Sequence, residues 1–310
     1  MRFVTFKLAG EYDGQEREAR FRAGVLVGDG AGLDDWICDL GHASMRAALS
    51  SDSADVERFV RSDLRRIADR IEARGLQAEA RIPLESATLA APIPRPRRIF
   101  GIAHNFRCAL AERGMKPPDA PVLFMKEPHT IVGCHAPIVL PRGVGGVTYE
   151  AELAAVIGRG GMAITEKEAL SHVAGYAAFN DISASDMIRQ DGRFDRGKNL
   201  PTFGPFGPYL ATADEIPDPQ ARKITLTMNG RVLQDGTTAA MLFGVAELIA
   251  RLSRQTRLEP GDVIATGTPA GAAPARKPPT WIEPGAVLVV SVEGLGLLAN
   301  PVVEGSPLDV

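Results

Sequence analysis

The chain has 310 residues, 45% of them hydrophobic and 24% charged, enough apolar material for one large domain or for a small domain joined to a larger one. Its 35 Lys and Arg against 38 Asp and Glu give a formal charge of -3, so no global basic field argues for nucleic acid, and an anionic ligand must be held by local charges. No run approaches the roughly 18 to 20 apolar residues that cross a bilayer, and Lys7 interrupts the first apolar stretch, which points to a cytoplasmic protein with no membrane partner.

Cys38, Cys108 and Cys134 are an odd number without CxxC spacing, which argues against a disulfide framework or a thiolate zinc site and for buried, inert thiols. The 23 prolines and 32 glycines are spread along the chain and fit a β-rich protein with many turns. Residues 18–40 read as a hairpin, ARFRAGVLV and LDDWICDL flanking a GDGAG turn. Gly28, Gly30 and Gly32 fit a turn better than a nucleotide loop, because no helical apolar period follows them. From Asp55 to Arg74, Val56, Phe59, Val60, Leu64, Ile67 and Ile71 recur at three and four, which predicts an amphipathic helix stopped by Gly75. The proline-rich stretch 82–98 marks a boundary between a small N-terminal α+β domain, 1–95, and the main domain, 96–310.

Strands dominate beyond it, over Val147–Ile157, Val173–Asn180, Ile224–Met228, Asp262–Thr266 and Val287–Val292. Asn229-Gly230 predicts a type I′ hairpin turn. Two helices interrupt the strands, one opened by the Thr165-x-x-Glu168 capping box and one near Met241–Ser253. The fold class is α+β, mostly β, with a mixed, partly barrel-like β-roll as its larger part.

Glu150 and Glu152 lie two apart in TYEAELAAVIG, so a strand places both carboxylates on one face. Asp181 ends a second strand-like run, VAGYAAFND. Close carboxylates repel unless they share a proton or a hard cation, so three of them at strand ends are a candidate divalent-metal cage. Spacing alone also permits a solvated strand face, since ExE is a weak motif.

Several stretches in one order are more specific: RRIFGIAHNF, PVLFMKEPHTIVG, VTYEAELAAVIGRGG, AGYAAFNDISASD, KNLPTFGPFGP, MNGRVLQDGTT and LEPGDVIATGTPAG. From Arg97 to Val303 the chain resembles the fumarylacetoacetate hydrolase family, which includes acylpyruvate hydrolases, oxaloacetate decarboxylases and hydroxymuconate-type isomerases. The resemblance implies that Glu150, Glu152 and Asp181 ligate Mg2+ (or Mn2+ or Ca2+) and that Lys198 contacts substrate beside it. It also implies that Thr268 of the TGTP loop binds a substrate carboxylate and that the protein is a homodimer.

This sequence departs from the family at three places. The family hydrolases' Asn-Tyr-x-x-His-x-x-Glu reads Asn105-Phe106-Arg107-Cys108-Ala109-Leu110-Ala111-Glu112, so Ala109 stands at the histidine that activates water with the glutamate. Glu112 could serve alone if desolvation raised its pKa; His104 and His129 could approach, although each reads by default as a surface or packing residue. Ala184-Ser185-Asp186-Met187-Ile188 lacks the family's Arg and Gln, and Pro201 replaces an Asp. The expected function is a metal-dependent hydrolase or lyase cleaving a C–C bond in a 2-oxo or 1,3-dicarbonyl acid, with Glu112 and Lys198 as catalytic groups. Decarboxylation, isomerisation and a catalytically weak metal-binding protein are the alternatives. A Cys108 nucleophile would have only Arg107 to stabilise its thiolate, and residues 273–280 read as a surface loop rather than a gate at the pocket mouth.

Overall fold

The computed structural model describes residues 1–8, 21–28, 35–49, 56–62 and 64–307. Strands outweigh helices, 38% against 25%, and form two large open sheets. The larger runs Arg81–Pro83, Trp36–Asp39, Arg22–Val27, Arg2–Leu8, Gly204–Thr212, Val173–Asn180, Ala151–Ile157, Val263–Ala265, Ile99–Ala103, Val122–Lys126. The smaller runs Arg231–Thr237, Lys223–Met228, Val287–Val292, Leu297–Pro307, Ile138–Arg142. Each contains a parallel pair, Val263–Ala265 with Ile99–Ala103 and Leu297–Pro307 with Ile138–Arg142, so the sheets are mixed as the sequence implies; among the described residues neither closes into a barrel.

Ala151–Ile157 is buried along its whole length, because both its faces are covered. Leu153, Ala155 and Ile157 join the core shared with the second sheet (Leu226, Leu288, Val290), while Ala154 and Val156 join the core under the N-terminal helices (Phe59, Val60, Leu64, Ile71). The described residues there are helical over Val56–Ser62 and Leu64–Arg74, where the apolar period predicts a helix, and Gly75 at φ 76° ends it. Arg2–Leu8 pairs with Gly204–Thr212, and Ala91, Pro92 and Ile93 are buried, so the proline-rich stretch is packed rather than a free linker.

The Arg22–Val27 and Trp36–Asp39 hairpin pairs as expected; its GDGAG turn lies almost wholly outside the described residues. Asn229 and Gly230 both have positive φ, 52° and 78°, as a type I′ turn between paired strands requires. Thr165 opens only a four-residue helix, Glu166–Ala169, and its hydroxyl donates to the Glu168 carboxylate (2.7 Å) instead of accepting from a backbone N–H. The second predicted helix spans Val245–Gln255. Among the described residues no helix is long and apolar enough to cross a membrane.

Candidate active site

Glu150 does not lie in a continuous strand: Val147–Thr148 and Ala151–Ile157 are separated by Tyr149 and Glu150. Asn180 secures this break, its Oδ1 accepting from Glu150 N at 3.0 Å, and the Asp181 N–H donates to Glu150 O at 2.9 Å. The ends of two neighbouring strands are thereby tied together, and Glu150, Glu152 and Asp181 each present a carboxylate oxygen within 4.8 Å of the others. Gly267, of the TGTP loop, gives its N–H to Glu152 Oε2 at 2.9 Å. Its φ of +92° and the Ile102 carbonyl 2.9 Å from where a Cβ would stand leave no other residue type unstrained there.

Two lysines meet the acids. Lys198 bonds Glu150 Oε2 at 2.6 Å and also donates to Asp181 Oδ2. Lys126, buried on the other side, lies 2.9 Å from Asp181 Oδ1 and donates to the Ile182 and Lys198 carbonyls. Burial opposes ionisation of Asp181, but Lys126 and Lys198 outweigh it and hold the carboxyl below its usual range. Glu152 shows the opposite balance: burial, then Asp181 and Glu150, push its carboxyl well above the usual range. Burial would discharge Lys198, yet Asp181 and Glu150 keep its ammonium charged.

The donor set fits a divalent cation. With all three carboxylates ionised, as a cation would require of Glu152, and both lysines charged, the cluster would carry one net negative charge; all its ligand atoms are the hard oxygens such ions prefer, and Asp181 Oδ1, though ion-paired, receives no hydrogen bond. Glu150, Glu152 and Asp181 would hold the ion.

A cavity of about 450 Å3 opens onto this cluster, walled by Ile102, Leu110, Phe124, Ile188, Phe194 and Trp281 and by the polar groups of His104, Thr148, Arg113, Ser183, Arg189 and Lys198. Thr268 borders it, with its hydroxyl donating to Ala151 O and accepting from Gln234 Nε2, both 2.8 Å, so contact with a substrate carboxylate would require that hydroxyl to turn. Ala109 faces the cavity, but Glu112 does not: it is exposed, and its Oε2 accepts from Gly271 N at 2.9 Å. His129 is also exposed, against Asn199 O, whereas His104 lines the cavity, contrary to its default as a surface or packing residue. His104 adopts φ 60°, an uncommon conformation for a side-chain-bearing residue, and faces Phe194 with ring centroids 6.4 Å apart. Burial and then Arg113 lower its pKa.

Cys108 is half-buried outside the cavity wall, receiving the Ala270 N–H at 3.4 Å, and burial raises the thiols of Cys38, to about 11, and Cys134, as expected of inert cysteines. Pro274 and Trp281 place the 273–280 segment at the cavity rim, so it is more than a plain surface loop. Sequence reasoning gave no role to Lys126, Arg113 or Arg189. The alternation of Phe124 and Lys126 in a short strand signals an inward lysine, and Arg113 sits four residues after Ala109, on the same side of the helix Arg107–Glu112 and its cap.

Residues 98–303 match the model of the fumarylacetoacetate (FAA) hydrolase C-terminal domain. The human mitochondrial oxaloacetate tautomerase FAHD2A is 38% identical over 224 residues, 72% of this chain and 71% of that protein. The fumarylacetoacetate hydrolase structure from psychrophilic Exiguobacterium antarcticum superposes with a TM-score of 0.78 at 32% identity, covering 98% of this chain and 100% of that one. The maleylpyruvate hydrolase of Sphingobium sp. SYK-6, solved in complex with manganese(II) ion and pyruvate, superposes with a TM-score of 0.76 at 29% identity, covering 99% and 100%.

Proposed function

Because the chain belongs to the fumarylacetoacetate hydrolase family, we propose that it is a divalent-metal-dependent isomerase that shifts a proton between carbon and oxygen of a 2-oxo acid. The observation that carries this reading is the cavity wall beside the acids: Ala109 stands where related hydrolases place the water-activating histidine, and Glu112 is turned onto Gly271. His104, an imidazole whose pKa burial and then Arg113 lower, is what the wall offers instead.

When bound, the cation supplies Lewis-acid polarisation of the 2-oxo group and offsets the negative charge that enolisation places on its oxygen. Lys198, kept charged by Asp181 and Glu150, adds a second fixed positive charge at the same end of the cavity. His104 is the group that would carry the proton, taking it from the carbon next to the carbonyl and delivering it to the enol oxygen, or the reverse. Phe124, Phe194 and Trp281 make part of the wall apolar and offer no group to activate a water, which favours proton transfer over attack by water. Thr268 and the TGTP loop border the end of the cavity where the substrate carboxylate would lie. The human tautomerase's substrate, oxaloacetate, supports the choice of test compound.

The test follows the loss of enol absorbance from oxaloacetate, with Mg2+ and after chelation, beside release of pyruvate from an acylpyruvate. Cation-dependent tautomerisation that exceeds acylpyruvate cleavage is expected; efficient cleavage without tautomerisation would overturn the reading. Hydrolysis of a C–C bond is the second reading, favoured by Glu112, which remains one turn from Ala109 and touches the loop carrying Thr268.

A further inference from the structure

The Arg113 side chain is a cation in the cavity wall with no hydrogen-bonding partner among the described residues. Its guanidinium carries five N–H donors, yet its nearest acid, Glu150, lies 3.9 Å from Nη2, too far for a hydrogen bond, and its buried Nε has no acceptor. The other cavity cations are engaged: Lys198 bonds Glu150 and Asp181, and Arg189 is paired with Asp186 at 2.8 Å. Arg113 follows Ala109 by four residues, and helical side chains lean toward the N-terminus, so its stem reaches over a position where alanine leaves room. Leu110, Phe124 and Phe194 give the cavity its apolar wall, and Glu150 and His104 are the ionisable groups that face Arg113.

We infer that Arg113 is a specificity-determining residue that binds a second, distal carboxylate of the substrate, so that the chain takes 2-oxo diacids in preference to 2-oxo monoacids. This rests on the 2-oxo acid reading above. A planar fork of donors matches a carboxylate with two parallel charge-assisted hydrogen bonds. Glu150 competes weakly, because its own oxygens are drawn to Lys198 and to the cation cage. Arg113 cannot accept a proton, so it replaces the missing histidine in space and not in chemistry.

Two acids of equal chain length isolate the effect: 2-oxoglutarate, and 2-oxopentanoate, which ends in a methyl group. Calorimetric titration of the Mg2+-loaded protein should show 2-oxoglutarate bound on the order of ten- to a hundredfold more tightly. Arg113→Met should abolish most of that preference while changing 2-oxopentanoate binding far less, and Arg113→Lys should restore part of it. Equal binding of the two acids by the unmodified protein, binding of neither, or a preference that survives in Arg113→Met would each overturn the inference. The outcomes separate from those of the isomerase reading: discrimination lost in Arg113→Met without tautomerase activity in the parent would sink the isomerase and leave the diacid site standing.

Discussion

Lys126 Nζ stands 2.9 Å from Asp181 Oδ1, with both side chains 1% exposed. Such a pair is held together by mutual need, since removing one partner leaves an uncompensated buried charge at a cost of roughly 3–5 kcal/mol. Lys126→Met should therefore lower the melting temperature of the metal-free protein. Mg2+ should restore more stability to this variant than to the parent, because the acids then lack one of their two lysines. Thermal denaturation with and without the cation measures both effects; equal gains would show that Lys126 does not share the neutralisation of Asp181.

Glu150→Ala and Asp181→Ala should each weaken Mn2+ binding more than about a hundredfold, beyond the loss usual for an outer-sphere partner. Electron paramagnetic resonance of free Mn2+ reads this directly. Retained affinity in either variant would remove that residue from the ligand set.

His104→Gln should reduce tautomerisation about 10²- to 10⁴-fold if the imidazole moves the proton. The lowered pKa fixes the sign of the pH profile. The active, neutral form persists as pH falls through the ordinary imidazole value of about 6.5, so kcat/KM should decline only at more acid pH, and Arg113→Met should move that acid limb upward. In the same interval the unfolded chain binds a proton that the folded protein excludes, so this group's contribution to stability is lost as pH drops below about 6.5. An acid limb unaffected by His104→Gln would assign the titration to another group.

Ala109→His should raise cleavage of an acylpyruvate, because the new imidazole faces the cavity. The gain should be small while Glu112 remains on Gly271. Glu112→Gln, by contrast, should change tautomerisation less than about fivefold, since a single part-buried backbone contact contributes only about 1 kcal/mol. A large loss would return Glu112 to the chemistry.

The acidic cluster was legible because strand geometry puts Glu150 near Glu152, and Asp181 closes a neighbouring strand-like run. The break at Tyr149 and Glu150 was not, since it depends on Asn180, thirty positions away. Glu112 shows the limit of motif spacing: a position in a pattern says nothing about where a carboxylate turns once a nearby N–H is available. His104 and Arg113 were hidden for a related reason. Single charged residues in a loop and at a helix end acquire meaning only from the walls that other segments bring to them. The helix 55–74 was legible from its apolar period, as Val56, Phe59, Val60, Leu64, Ile67 and Ile71 all enter one buried core from the described helical residues Val56–Ser62 and Leu64–Arg74.

The Glu150 backbone is held on its N–H side by the Asn180 side-chain amide, while the Asp181 N–H holds its carbonyl. The bite of the carboxylate trio can therefore be adjusted by substitution at a residue that bears no acid and lies outside the cavity wall. Descendants of such a scaffold could drift toward larger or smaller ions through that one amide, with every ligand unchanged.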